Sequence, residues 1–106
     1  MKVTVVTVAL NNRDYVEDCI RSVLSQSHKN LEYIVIDGGS TDGTTEIIKK
    51  YDGNITKWIS EPDKGLYDAM NKGIRLAKGD IIGILNCDDI YNDEHVIDER
   101  KILKSS

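Results

Sequence analysis

The chain has 106 residues, of which 40% are apolar and 30% charged, and 14 Lys and Arg against 18 Asp and Glu give a net charge of -4. That length holds one domain with a buried core and is short for an enzyme that binds two substrates, and the composition is far from that of disordered chains. An acidic balance without a basic block excludes a sequence-independent grip on nucleic acid, and no apolar run approaches the roughly 20 residues of a membrane span.

Lys2 to Ala9 is rich in β-branched residues and nearly continuous in apolar character, as a strand buried on both faces requires. The first residues, Met1 to Leu10, run straight into this strand without the long apolar core and small-residue cleavage site of a secretory leader, so the expected location is the cytoplasm. Asn11 and Asn12 can cap a helix expected over Arg13 to Gln26, where Val16, Cys19, Ile20, Val23 and Leu24 recur at helical spacing. Leu31 to Asp37 reads as the second strand, broken by the turn from Gly38 to Gly43 ahead of a helix carrying Ile47, Ile48 and Tyr51. Lys57 to Ser60 is a short third strand. From Gly65 to Lys78 the residues Leu66, Ala69, Met70, Gly73, Ile74 and Ala77 share one helical face, Gly79 ends that helix, and Asp80 to Leu85 is the fourth strand. The last run, from Arg100 to Ser106, has the pattern of an amphipathic helix.

Strands alternating with helical crossovers imply an α/β fold, a Rossmann-like three-layer sandwich around a mostly parallel sheet, with residues 1–106 forming a single domain. Cys19 and Cys87 are far apart and belong to no metal or redox pair, so both are expected as buried thiols. Trp58, His28 and His95 lie in no catalytic spacing and are expected in structural or surface roles.

Ligands of open parallel sheets bind beyond the carboxyl ends of the strands, and in this chain those ends are polar or acidic: Asn11 and Asn12, Asp37 to Ser40, and Asn86 to Asp89. The turn after the second strand is not a familiar phosphate cradle, because Ser40 stands where a dinucleotide fingerprint needs glycine and Thr44 where a Walker loop needs lysine. Such a turn also serves simply to reverse the chain, with Asp42 capping the next helix. Asp88 and Asp89 repel each other unless a cation or a set of N–H donors offsets the cost, and Mn²⁺ or Mg²⁺ prefers such oxygen ligands. The alternative is a solvated pair capping a helix that begins near Asn92. Lys64, in the loop before a helix, suits a position near phosphates and equally suits solvent. Tyr67 and Tyr91 can stack on a base or pack against the core.

Five blocks in order, namely Asn11, Tyr15 to Gln26, Asp37 to Gly43 (Asp-Gly-Gly-Ser-Thr-Asp-Gly), Glu61 to Gly73 (Glu-Pro-Asp-Lys-Gly-Leu-Tyr-Asp-Ala-Met-Asn-Lys-Gly) and Asn86 to Tyr91, resemble the inverting GT-A nucleotide-sugar glycosyltransferases of family 2. The resemblance covers nearly the whole chain and is greatest to members that build bacterial surface polysaccharides. It implies the nucleotide-sugar-binding half of such a fold, truncated before the acceptor-binding half and the catalytic base, so that the catalytic residue is unknown and the chain alone is inactive. It also implies Val8, Ala9, Leu10 and Asp37 near the nucleoside, Asn86 and Asp88 at the ends of the metal motif, and Asp88 with Asp89 as metal ligands; the clustering of polar strand ends leads separately to the expectation that Asp37 and Asp88 face one crevice. The partners it implies are a nucleotide-diphosphate sugar such as a UDP-sugar and a saccharide or lipid-linked acceptor, the latter at the inner face of the membrane. The sequence departs from the family at Gly38, where many members carry a second Asp, and at Asn86, where many carry the first Asp of the metal motif. A non-catalytic nucleotide-sugar-binding fragment is the alternative, and a receiver-like signalling module fits less well. A sheet ending at the fourth strand would leave its edge open, from which a homodimer is expected.

Overall fold

A computed structural model describes residues 2–26, 30–87 and the backbone of 102–104. The elements run β1 (Val3–Ala9), α1 (Val16–Leu24), β2 (Leu31–Asp37), α2 (Thr44–Lys50), β3 (Lys57–Ser60), α3 (Leu66–Leu76), β4 (Ile81–Asn86) and β5 (Ile102–Lys104). They form one sheet in the order β3-β2-β1-β4-β5, with the first four strands parallel and β5 antiparallel to β4.

Alternation along β1 divides the core into two layers. Val5 and Ala9 face α1 and α2 and pack with Val16, Cys19, Ile20, Val23 and Ile48, whereas Val6 and Val8 face the opposite way and pack with Ile34, Ile36 and Ala69. This two-sided burial explains why β1 and β2 lack the polar alternation of a half-exposed strand. Neither Cys19 nor Cys87 is in a disulfide, and both are buried in the α1 layer, as their sequence setting implied. The α3 layer depends on Gly73, because a Cβ there would overlap Val6 Cγ1. Gly79 acts through space as well: α3 ends at Leu76, and a Cβ on Gly79 would lie 2.5 Å from Thr4 Oγ1.

Three expectations need correction. Ile102–Lys104 is a strand, not part of a helix, and it pairs with Ile81–Gly83. The apolar residues of so short a run fit either period, and the open edge of β4 decides between them. That pairing covers the outer edge of β4 along those residues, so the open edge from which a homodimer was expected is occupied there by the chain itself. Finally, α1 begins at Val16 without a side-chain cap, since Asn11 and Asn12 are used in the loop that precedes it.

Two polar clusters are enclosed by these layers. Tyr33 and Thr7 hydroxyls are 2.8 Å apart beneath α1, and burial first, then the neighbouring Cys19, pushes the Tyr33 phenol well above its ordinary value. At the amino ends of the strands, Glu32 Oε1 accepts from Thr4 Oγ1 at 2.8 Å and from the Lys78 N–H at 2.7 Å, while the Gly79 N–H donates to Thr4 Oγ1 at 2.9 Å. This bridge joins β1 and β2 to the turn between α3 and β4. Burial alone would raise Glu32, but these donors, with Lys2 and Lys57 nearby, outweigh it and hold the carboxyl below its ordinary value.

The lowered Glu32 gives stability that is present above its unfolded value of about 4.5 and is lost as the pH falls through the folded value. Glu32→Gln is therefore expected to lower Tm at neutral pH, with the gap from wild type closing as melts are run from about pH 6 toward pH 3. Gly73→Ala gains about 1 kcal/mol of helix propensity, yet overlap with the buried Val6 should cost about 1–3 kcal/mol. Urea unfolding should show the variant less stable, and adding Val6→Ala should offset part of the overlap strain.

Candidate functional site

The strand order reverses at β1, with β2 and β3 on one side and β4 on the other. The loops leaving β1 and β4 diverge at such a point and open a crevice beyond the carboxyl ends. Here it is a cleft of about 240 Å³, bounded by Val8, Ala9, Leu10 and Asn12 from β1 and its loop, Asp63 and Gly65 from the β3–α3 loop, Leu66 and Ala69 from α3, and Asn86 from β4. Val8 and Asn86 are direct partners across the β1–β4 ladder, so the register itself brings them together. Leu10 and Leu66 are among the most exposed large apolar side chains, at 53% and 47%, and both line the cleft.

Backbone geometry ties the first two loops together. Asn11 takes the left-handed conformation with φ 51°, which Asn tolerates better than most residues. There its N–H donates to Ser40 Oγ at 2.8 Å, and its Oδ1 accepts from the Thr41 N–H at 2.8 Å. Asn12 Oδ1 turns back to accept from the Leu10 N–H at 2.8 Å. Asp42 accepts from the Arg13 N–H at 3.1 Å and from the Thr44 N–H at 3.0 Å, so it supports the start of α2 as well as the approach to α1. The Thr44 hydroxyl and N–H, with the Arg13 N–H, hold the Asp42 carboxyl below its ordinary value against a smaller opposing effect of burial.

Asp37 organises the next pair of loops. Its carboxylate is wholly buried and accepts from Thr45 Oγ1 and Ser60 Oγ, both at 2.7 Å, from the Ser40 N–H at 3.2 Å and from the Ser40 hydroxyl. Its carbonyl accepts from the Glu61 N–H at 3.0 Å. The turn after β2, the first turn of α2 and the end of β3 therefore converge on one side chain. The loop that follows β3 is held from above by Lys72, whose Nζ is 3.1 Å from Glu61, 3.7 Å from Asp68 and 3.4 Å from the Pro62 carbonyl. Glu61 first, then Asp68 and Asp63, raise Lys72 above its ordinary value despite burial.

Of the site residues expected from the sequence, Val8, Ala9, Leu10 and Asn86 meet in the cleft. Asp37 stands at the carboxyl end of β2 with its carboxylate turned to the hydroxyls around it. Lys64 is exposed on the loop between two lining residues, and Tyr67 is exposed in the first turn of α3. The Trp58 indole donates to Asp52 at 2.7 Å. Asp88, Asp89, Tyr91, His28 and His95 lie outside the described residues. Sequence reasoning missed Asp63, the acidic residue in the lining; looking beyond the carboxyl end of the third strand, as was done for the other three, would have found it.

Among the described residues no three acidic, Cys or His side chains gather as a metal centre. The described lining offers oxygen donors in Asp63, Asn86 and Asn12 and contains no Lys, Arg or His. That donor chemistry fits a hard divalent cation, and an anionic ligand entering the cleft would need one to offset the Asp63 carboxylate.

Residues 4–99 match the family described as Glycosyl transferase family 2, and the chain belongs to that family. It is 41% identical over 90 residues to the putative teichuronic acid biosynthesis glycosyltransferase TuaG of Bacillus subtilis, covering 82% of this chain and 36% of that protein. Its fold matches the mannosyltransferase PcManGT of Pyrobaculum calidifontis, solved with GDP-Man and Mn²⁺, with TM-score 0.75 and 26% identity over 82% of this chain and 27% of the other. It also matches S. aureus TarS 1-349 in complex with UDP, with TM-score 0.74 and 25% identity over 83% and 28% of the two chains. The chain spans between 10% and 37% of the length of the curated relatives it matches, 36% in the case of TuaG.

Removing the Asp37 carboxylate leaves the hydroxyls of Ser40, Thr45 and Ser60 without their common acceptor. Asp37→Ala is expected to lower the unfolding free energy by about 3 kcal/mol, and Asp37→Asn, which keeps one acceptor and the shape, by about 1–2 kcal/mol. Urea unfolding of the two variants checks both the size and the order.

Proposed function

We propose that this member of glycosyltransferase family 2 binds a nucleotide-diphosphate sugar, with Mn²⁺ or Mg²⁺, in the cleft between β1 and α3. The rest of a longer enzyme would present a saccharide or lipid-linked acceptor. The observation that carries the reading is the cleft's position, beyond the carboxyl ends of β1 and β4 where the strand order reverses. Support comes also from the two structural relatives, one holding GDP-Man and Mn²⁺ and the other UDP.

In this reading Val8, Ala9 and Leu10 form the apolar wall beside the nucleoside, and Asp37 fixes the turn that bounds it. Lys64 stands on the exposed loop as a compact positive charge for the phosphates. Asn86 orients the ribose, and Asp88 with Asp89 would hold the cation. When bound, the cation draws off charge that develops on the departing diphosphate. The acceptor hydroxyl attacks the anomeric carbon from the face opposite the diphosphate, the bond to the diphosphate breaks, and a carboxylate base takes the hydroxyl proton, inverting the configuration. That base belongs to the remainder of the enzyme, so the chain alone is expected to bind donor without transferring sugar. Among the described residues no helix is long and apolar enough to cross a membrane. A lipid-linked acceptor would set the site of action at the inner face of the membrane.

Calorimetry with UDP, GDP and dTDP, in Mn²⁺ and in EDTA, tests the proposal. Binding of at least one diphosphate is expected to tighten about tenfold or more with Mn²⁺, and Asp88→Asn is expected to abolish that gain. Binding indifferent to both EDTA and Asp88→Asn would remove the metal from the proposal, and no binding of any diphosphate would overturn it.

A further inference from the structure

The Leu10 side chain lies open at the lip of the cleft, 53% exposed, so packing does little to fix it. The backbone around it is instead tied at every step. The Ala9 carbonyl accepts from the Gly38 N–H at 2.9 Å, and the Leu10 N–H donates to Asn12 Oδ1 at 2.8 Å. The Asn11 N–H donates to Ser40 Oγ at 2.8 Å, and the Asn12 carbonyl accepts from the N–H groups of Tyr15 and Val16 at 2.9 and 2.7 Å. Among the described residues Asn11 is the one non-glycine residue with a left-handed backbone, at φ 51°.

That conformation is unfavourable for a residue with a Cβ, and here two hydrogen bonds from the neighbouring turn offset it. Asn11 Oδ1 accepts from the Thr41 N–H at 2.8 Å, which ties the side chain to the turn after β2. The second bond has a fixed direction. A hydroxyl has one proton and an ionised carboxylate only accepts, so Ser40 points its proton at Asp37 and turns a lone pair to the Asn11 N–H. A chain of hydrogen bonds therefore runs from the buried Asp37 charge through Ser40 to the Asn11 backbone, each bond polarising the next. Asn11 itself is exposed and does not line the cleft, whereas its two neighbours, Leu10 and Asn12, do. Strain of this kind persists where the surrounding structure over-determines it, and here it sits between two residues of the site.

We propose that Asn11 is a positioning residue for donor binding. Held in the left-handed conformation by Ser40 and Thr41, it sets Leu10 at the nucleoside wall before any ligand arrives. This rests on the nucleotide-sugar reading and deepens it. A chain that leaves the conformation swings an unpacked Leu10 away from the cleft, and the apparent affinity falls with the fraction of molecules that keep it in place.

The test is calorimetry in Mn²⁺ with whichever of UDP, GDP and dTDP wild type binds most tightly, with Tm recorded for every variant. Asn11→Ala bears the full steric cost of the left-handed conformation and offers Thr41 no acceptor, so its Kd is expected to rise about tenfold. Asn11→Gly adopts the conformation freely but loses the same bond, and a rise of about threefold is expected. The deciding measurement is a cycle with Leu10→Ala. If Asn11 acts through Leu10, replacing Asn11 in that background is expected to raise Kd by less than about twofold further. A loss of stability alone moves Tm and leaves the Kd of folded molecules unchanged, so the cycle separates positioning from a structural role. Asn11→Gly carries the same cycle if Asn11→Ala fails to fold. Wild-type affinity in a folded Asn11→Ala, or effects of Asn11 and Leu10 that add in full, would overturn the positioning role and leave nucleotide binding intact. Failure of all three diphosphates to bind wild type would instead defeat the underlying reading, and this inference with it.

Discussion

A buried carboxylate has to be satisfied by hydrogen-bond donors, and at Asp37 that requirement ties together the carboxyl ends of β2 and β3 and the start of α2. Among the described residues its partners are the Ser40 N–H and the hydroxyls of Ser40, Thr45 and Ser60, drawn from a turn, a helix and a strand. Each partner can reach Asp37 only if its own segment is correctly placed. The turn after β2 then meets Asn11, and the end of β3 leads within three residues to Asp63. The cleft is thus a product of one polar cluster on the α1 side and one apolar layer on the α3 side. The acidity of the cleft follows from the same arrangement, because the loop carrying Asp63 starts where Asp37 holds β3.

Much of this organisation was legible in the sequence. The spans of β2 and β3 were read correctly because β-branched and aromatic residues bounded by turn formers leave little freedom. Val8, Ala9, Leu10 and Asn86 are the residues that the resemblance to family 2 implies for the nucleotide, and they meet in one cleft beyond the carboxyl ends of β1 and β4. What escaped depended on contacts distant in sequence. Ile102–Lys104 becomes a strand because β4 offers it an edge, which no local period records. Asp63 follows the third strand and was within reach of the strand-end rule, but the Lys72 contacts to Glu61 and Pro62 that hold its loop and the space left for it at Gly38 are not visible as a motif. Asn11 and Asn12 had the composition of helix caps but found their partners across the loop.

The departure from the family at Gly38 also acquires a physical meaning. In the sequence it is a missing acid, and in the structure it is the space that a different acid fills. A loss in one loop and a gain in another are not independent when the two loops share a contact. Two such positions should be read together when relatives are compared, since a change at either one alters what the other can hold.

The absence of a side chain at Gly73 reaches further than packing. With α3 drawn against Val6, the helix that carries Leu66 and Ala69 is seated on the central strand like a dovetailed part, and the ladder from β1 to β4 fixes the facing edge. A slot built from parts joined this closely has low mechanical compliance. Its width should stay nearly constant whether it is empty or filled, so a ligand is recognised there by fit to a stiff mould and not by a mould that closes around it.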